Sequence, residues 1–180
     1  LVRTEDPRAA ETLLKLLNYR EHPPQEVRPP DTLIRWDATL GLARLSERDA
    51  VPPELRESVE QTLIERLRMD EDAQVLTAAA RGLGYYPSED AVRALIGGLN
   101  GTNFAAVHEC EESLVRLTGY THNCDPLAWQ DWLEGHRDDL FARAGHIPES
   151  RRPPYSNRFE KVGYDVKQFW RWLVPARKEQ

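Results

Sequence analysis

Apolar residues recur at helical spacing along most of this chain, and strand-like alternation is rare. In EDPRAAETLLKLLNYR, residues 5–20, Ala10, Leu13, Leu14 and Leu17 share one face, and Pro7 suits a first helical turn. Two proline pairs in EHPPQEVRPP, residues 21–30, then break any helix. DTLIRWDATLGLARLS, residues 31–46, resumes with Asp31 as the expected N-cap. It carries two apolar stripes: Ile34, Ala38, Leu42 and Leu45 make one, and Leu33, Trp36, Leu40 and Ala43 the other. A helix apolar on two sides is expected between neighbours rather than at a surface.

The following helices alternate in kind. PPELRESVEQTLIERLRM, residues 52–69, keeps Leu55, Val59, Leu63 and Leu67 to a single stripe, with Glu54 near its start where the helix dipole favours an acid. AQVLTAAARGLGYY, residues 73–86, is small and apolar on most sides. SEDAVRALIGGL, residues 88–99, has Ser88 as its cap, and NFAAVHECEESLVRLTG, residues 103–119, completes the series. Aligning LARLS, RGLGY and LVRLT places Leu45, Leu83 and Leu117 in register at steps of 38 and 34 residues. Such steps are those of stacked helical pairs.

On that period, and on the Ala-Ala-x-x-Leu-Gly pattern of Ala79, Ala80, Leu83 and Gly84, residues 6–120 resemble the HEAT-repeat family, including its bacterial HEAT-like members. The resemblance implies an all-α fold: a right-handed α-solenoid of about three HEAT-like helical pairs. Close packing through Ala78, Ala79, Ala80 and Gly82 is expected to set its curvature.

LTGYTHNCDPLAWQDWLEGH, residues 117–136, reads as the end of such a stack. Gly119 fits the left-handed position that closes a helix, and Asp125-Pro126 is an N-cap followed by proline in the first turn. Trp129, Trp132, Leu133, His136 and Leu140 then form one stripe, suited to covering an open apolar end. Leu117, Thr118, Gly119, Asp125, Trp129 and Trp132 resemble a Leu-Thr-Gly…Asp…Trp…Trp module that closes HEAT arrays in bacterial, frequently envelope-associated, proteins. Members of that group more often carry an aromatic residue and a glycine where this chain has YTHNC. The expected domains are therefore 1–143, a solenoid with a Trp-rich capping helix over 125–143, and 144–180, a proline-containing linker and an extended arm.

Charge divides the chain the same way. Residues 151–180 hold eight Lys and Arg against three acids, whereas the whole chain is −6, so residues 1–150 carry −11. The arm also holds six of the fifteen aromatic residues. Tyr155, Arg158, Phe159, Tyr164, Phe169, Trp170, Arg171 and Trp172 are the residues expected to bind a partner, because Trp, Tyr and Arg anchor protein interfaces. Three alternatives stay open for this arm: another protein subunit, a membrane surface or its own acidic body. The acidic body argues against nucleic acid.

Candidate chemistry is sparse. His108, Glu111, Glu112, His122 and Cys124 are the residues from which a metal site could be built, with His108, Glu112, His122 and Cys124 as its closest approach to a ligand set. The spacing is not His-Glu-x-x-His, however, and no Cys-x-x-Cys occurs. Cys110 and Cys124 are too few for a disulfide scaffold, and their redox state stays open. No nucleophile elbow, phosphate loop or dinucleotide fingerprint is present. No cofactor, metal or catalytic residue is therefore expected.

The function expected is a non-enzymatic scaffold or accessory subunit in a larger assembly. The alternatives are a peripheral membrane protein held by the tail, or a lyase or chaperone for a pigment or cofactor by analogy with one HEAT-like family. The capping-module resemblance implies a periplasmic or envelope-associated setting, with a cytoplasmic one as the alternative. No run of about 18 apolar residues predicts a membrane-spanning helix.

Overall fold

The computed structural model describes residues 6, 8–18, 31–151, 160, 162 and 165–167. Among these the chain is all-α, and it divides into two compact units, residues 1–147 and 148–180. Among the described residues of the first unit there are seven α-helices: α1 (Ala9–Asn18), α2 (Asp31–Glu47), α3 (Arg56–Met69), α4 (Ala73–Leu83), α5 (Glu89–Gly98), α6 (Phe104–Thr118) and α7 (Pro126–Gly135). In the second unit Glu149–Arg151 forms a 3-10 turn, and residues 160, 162 and 165–167 are helical. The other residues of the arm, 152–159, 161, 163, 164 and 168–180, lie outside the described residues. No helix among the described residues is long and apolar enough to cross a membrane.

Local chemistry fixes the helix starts. Asp72 accepts from Gln74 N–H and Val75 N–H, Ser88 from Ala91 N–H, Asn103 from Ala106 N–H, and Asp125 from Leu127 N–H and Ala128 N–H. Each cap removes orphan donors from a first turn. Asp31 is the first residue of α2 rather than its cap, so its carboxylate acts on the positive end of the helix from within the first turn. The paired prolines Pro52 and Pro53 open a 3-10 turn, Pro53–Leu55, that holds Glu54 and leads into α3.

Packing follows a regular order. α1 lies on α2, α3 on α4 and α5 on α6; between these pairs α2 meets α4, α4 meets α6, α1 meets α3, and α3 meets α5. α7 packs on α5. The register leucines Leu45, Leu83 and Leu117 are all buried in the last turns of α2, α4 and α6. Small residues set the spacing between helices. A Cβ on Gly82 would lie 2.8 Å from Leu63 Cδ1 and 3.2 Å from the Ala43 backbone, and Ala78, Ala79 and Ala80 are buried beside it. Buried hydroxyls stitch neighbouring elements together: Ser113 on α6 donates to Ala80 O on α4 at 2.9 Å, and Ser46 on α2 pairs with the hydroxyl of Tyr86, in the α4–α5 connection, at 3.0 Å.

The second stripe of α2 departs from its expected burial. Ala43 is buried, but Trp36 and Leu40 are half-buried and Leu33 is exposed. The first stripe is better covered, with Ala38, Leu42 and Leu45 buried and Ile34 half-buried, because the start of the second stripe opens onto a groove. The capping helix is also shorter than the expected 125–143. It stops at Gly135, since His136 leaves helical geometry at φ −126, ψ 23, and a run of turns carries Leu140 into the core. Gly145 N–H then donates to Arg116 O at 2.9 Å, which ties residues past 143 to the end of α6.

Asp70 joins α2 to the α3–α4 turn. Its side chain is 2% exposed and takes Arg35 as a fork, Nε to Oδ2 at 2.8 Å and Nη2 to Oδ1 at 3.3 Å, with Arg66 at 3.6 Å and Asp72 N–H at 3.1 Å. Burial opposes its ionisation, but the Arg35 hydrogen bonds, the Asp72 amide and the two guanidinium charges outweigh that and hold the carboxyl below its ordinary value. The stability this supplies is present above the unfolded-state value and is lost as pH falls through the lower folded-state value. Asp70→Asn is expected to cost about 2 kcal/mol at neutral pH. It should also flatten the fall of stability below about pH 4, measured as urea midpoints across pH. An unchanged midpoint at neutral pH would show that the fork contributes nothing.

A candidate binding groove and the loop between α6 and α7

Two surface features stand out in the first unit. A groove of about 400 Å³ runs across the outer sides of α2, α4 and α6, floored by Trp36, Leu40, Ala78 and Ala105 and edged by Gln74, Thr77, Arg81 and Glu109. It exists because small residues on α4 and α6 face the large ones on α2, so apolar surface is left in a trough. Its rim is polar, and there Arg81 reaches out to Glu47 at 3.4 Å; nearby on α6, His108 meets Glu112 at 3.6 Å. Arg116 lies over the Tyr85 ring at 4.8 Å, one turn further along. Phe104, at the start of α6, is 79% exposed. A wider groove of about 710 Å³ lies beside the α3–α4 and α5–α6 connections, lined by Arg68, Leu76, Arg93, Asn100 and Thr102 among others.

The loop from Gly119 to Asp125 is organised by one carboxylate. Glu111 is 1% exposed on α6, and five donors converge on it among the described residues. Oε1 accepts from the Thr121 hydroxyl at 2.6 Å and from the His122 and Asn123 amides at 3.2 Å each. Oε2 accepts from Cys124 N–H at 3.0 Å and from the Trp129 indole at 2.6 Å. Three successive amides can point inward only if the chain coils tightly around the carboxylate, and Asn123 and Cys124 take left-handed backbone at φ 54 and 62 to do so. Gly119 allows the entry: it sits at φ 76, and a Cβ there would lie 2.2 Å from Arg143 O. This arrangement binds the protein's own loop, so it leaves no coordination position on Glu111 facing solvent.

Aromatic rings continue from that loop. His122 meets Trp129 edge-on at 4.7 Å, Trp129 meets Trp132 edge-on at 5.4 Å, and His136 stacks on Trp132 at 4.7 Å. Tyr120 leans on both Trp132 and His136, with Arg143 above it at 4.9 Å. His122 Nε2 and Trp132 Nε1 are buried without a hydrogen-bond partner among the described residues. Burial pushes the His122 pKa down, while Glu111 and Asp125 oppose the shift and His136 adds to it.

The residues singled out for a metal do not assemble. His108 and Glu112 pair with each other on the outer side of α6, His122 is turned against Trp129, and Cys124 packs against the core. Among the described residues no group of three His, Cys, Asp or Glu is gathered that could hold an ion. Cys110 is fully buried, and desolvation raises its thiol to about 12, which removes it as a nucleophile. Tyr155, Arg158, Phe159, Tyr164, Phe169, Trp170, Arg171 and Trp172 all lie outside the described residues. Reading the sequence for ligands missed Glu111's structural role, although a signal was there. Glu111 stands at i+4 from Val107 and i−3 from Leu114, an acid in the middle of an apolar stripe. Compared with protein-family models, with curated proteins and with solved structures, the chain matches none.

Glu111→Gln keeps the shape but turns an amide N–H₂ toward donors in either orientation. It is expected to destabilise the fold by about 3 kcal/mol. Thr121→Val, which removes one donor, should cost about 1 kcal/mol. Thermal unfolding followed by tryptophan fluorescence compares the two, and equal losses would contradict the central place of the carboxylate. Because the folded His122 pKa lies below the unfolded one, stability should decline as pH falls through the ordinary histidine value near about 6.5. His122→Phe should lessen that decline, read as urea midpoints on either side of the transition.

Proposed function

We propose that this chain is a right-handed α-solenoid of about three HEAT-like pairs and serves as a non-enzymatic scaffold or accessory subunit within a larger assembly. Supporting the architecture are the packing order of α1 to α6 and the burial of Leu45, Leu83 and Leu117 at matching helix ends. In that arrangement α2, α4 and α6 form the inner row, and their outer sides form the surface offered to a partner. The observation that carries the function is the trough across these three helices, with Trp36, Leu40 and Ala105 left uncovered between polar edges. A half-apolar groove with a polar rim has the make-up of a protein-binding surface. The mechanism in this reading is surface complementarity between the groove and a partner. The basic aromatic residues of 155–172 supply a second contact in this reading, and a periplasmic or envelope setting remains part of the proposal.

Filling the groove tests it. Gln74→Trp and Ala105→Trp change exposed positions on its edge and floor. A native pull-down with the full chain identifies a partner, whose affinity for each variant is then measured with purified proteins. Weakening by about tenfold or more, equivalent to about 1.4 kcal/mol, with unchanged thermal unfolding is the expected result. A partner that binds both variants as it binds the native chain would exclude the groove. Loss of binding only when residues 148–180 are deleted would move the function to the arm.

A further inference from the structure

We propose that Asn100 is a site of spontaneous covalent modification, deamidation through a succinimide formed with Gly101. Asn100-Gly101 is the single Asn-Gly pair in the sequence. It lies in the connection between α5 and α6, and Asn100, Gly101 and Thr102 are all exposed. Succinimide formation needs the backbone nitrogen of the next residue to reach the side-chain carbonyl carbon, and a following glycine puts no Cβ in the way. The Asn100 carboxamide is held only weakly, its Nδ2 donating to Gly97 O at 3.3 Å. Gly101 N–H donates to Gly98 O at 3.1 Å, so the reaction proceeds when this terminal hydrogen bond opens. Bonds at a helix end open more readily than those in its interior.

The chemistry needs only water and a proton acceptor. Gly101 nitrogen gives up its proton to solvent base and attacks Asn100 Cγ. The new C–N bond closes a five-membered ring as the Cγ–Nδ2 bond breaks, and Nδ2 leaves as ammonia after taking a proton. Water then adds to one of the two ring carbonyls and opens the ring to aspartate or isoaspartate. No oxidant or cofactor enters. Asn103, three residues further on, is a built-in contrast. Its Oδ1 is engaged as the α6 cap to Ala106 N–H at 3.0 Å, and Phe104 follows it.

The product reverses the local electrostatics. A donor to the Gly97 carbonyl becomes a carboxylate beside it, at the negative end of α5, where an anion is unfavourable. The charge also enters the wider groove that Asn100 shares with Arg68 and Arg93. Modification at this position thus loosens the α5–α6 turn and adds one negative charge to a groove lined by Arg68, Arg93, Asp70 and Glu71.

The test uses the full folded chain in warm, mildly alkaline buffer. The peptide between Arg93 and Arg116 is followed by mass spectrometry, with fragment ions separating Asn100 from Asn103. The expected result is replacement of NH₂ by OH at Asn100, with both aspartate and isoaspartate formed, none at Asn103, and severalfold slower conversion in Gly101→Ala. Asn100→Asp, as a fixed mimic, should lower Tm by roughly 1–4 °C. Conversion only after unfolding in urea would overturn the proposal that the native turn is the site. An unchanged Tm in Asn100→Asp would overturn the claim that the product loosens the turn.

Discussion

A carboxylate buried at 1% exposure is costly unless every lone pair finds a donor, and Glu111 has the chain wound around it to supply them. Thr121, His122, Asn123, Cys124 and Trp129 all give it a hydrogen. That single requirement sets where the loop turns, forces two residues into left-handed backbone, and anchors the indole that begins the aromatic series. The end of α6, the start of α7 and the position of the tryptophans follow from one acid on an otherwise apolar stripe. The passage from α6 into α7 is therefore a polar construction with an apolar cover, since Trp129 contributes both its N–H to Glu111 and its ring to the core.

The same economy governs the helices before it. Where α4 passes between α2 and α6, alanine and glycine bring the backbones close, and Ser113 uses that closeness to reach Ala80 O. Asp70 performs a comparable service on the other side of α4, by joining α2 through Arg35 while its neighbour Asp72 caps the helix. Close packing on the buried side has a consequence on the outer side. Small residues at Ala78 and Ala105 leave room beneath Trp36 and Leu40, and that room is the groove on which the proposed partner-binding role rests.

Helix positions were legible from the sequence because their signals are local. Ser88 and Asp125 sit where caps belong, Gly119 takes the left-handed turn, and of the stripe Leu55, Val59, Leu63 and Leu67 all but the half-buried Leu55 are buried as the spacing predicts. The groove was illegible for the opposite reason. The two apolar stripes of α2 read as two covered sides, but whether a side is covered depends on the size of residues on helices 40 to 70 positions away. Glu111 was obscured by its neighbours: in HECEE one acid points inward and two outward, and a one-dimensional reading treats them as a cluster.

By itself the sequence determined an all-helical chain, its punctuation and the residues available for the core, because hydrogen bonding within a turn and the spacing of apolar positions act over a few residues. Only the tertiary structure decided which acid is buried, which apolar face stays open and where the capping helix stops. Those outcomes depend on distances between helices, which are fixed by packing volume and by the need to satisfy each buried polar group, and neither is written at any one position.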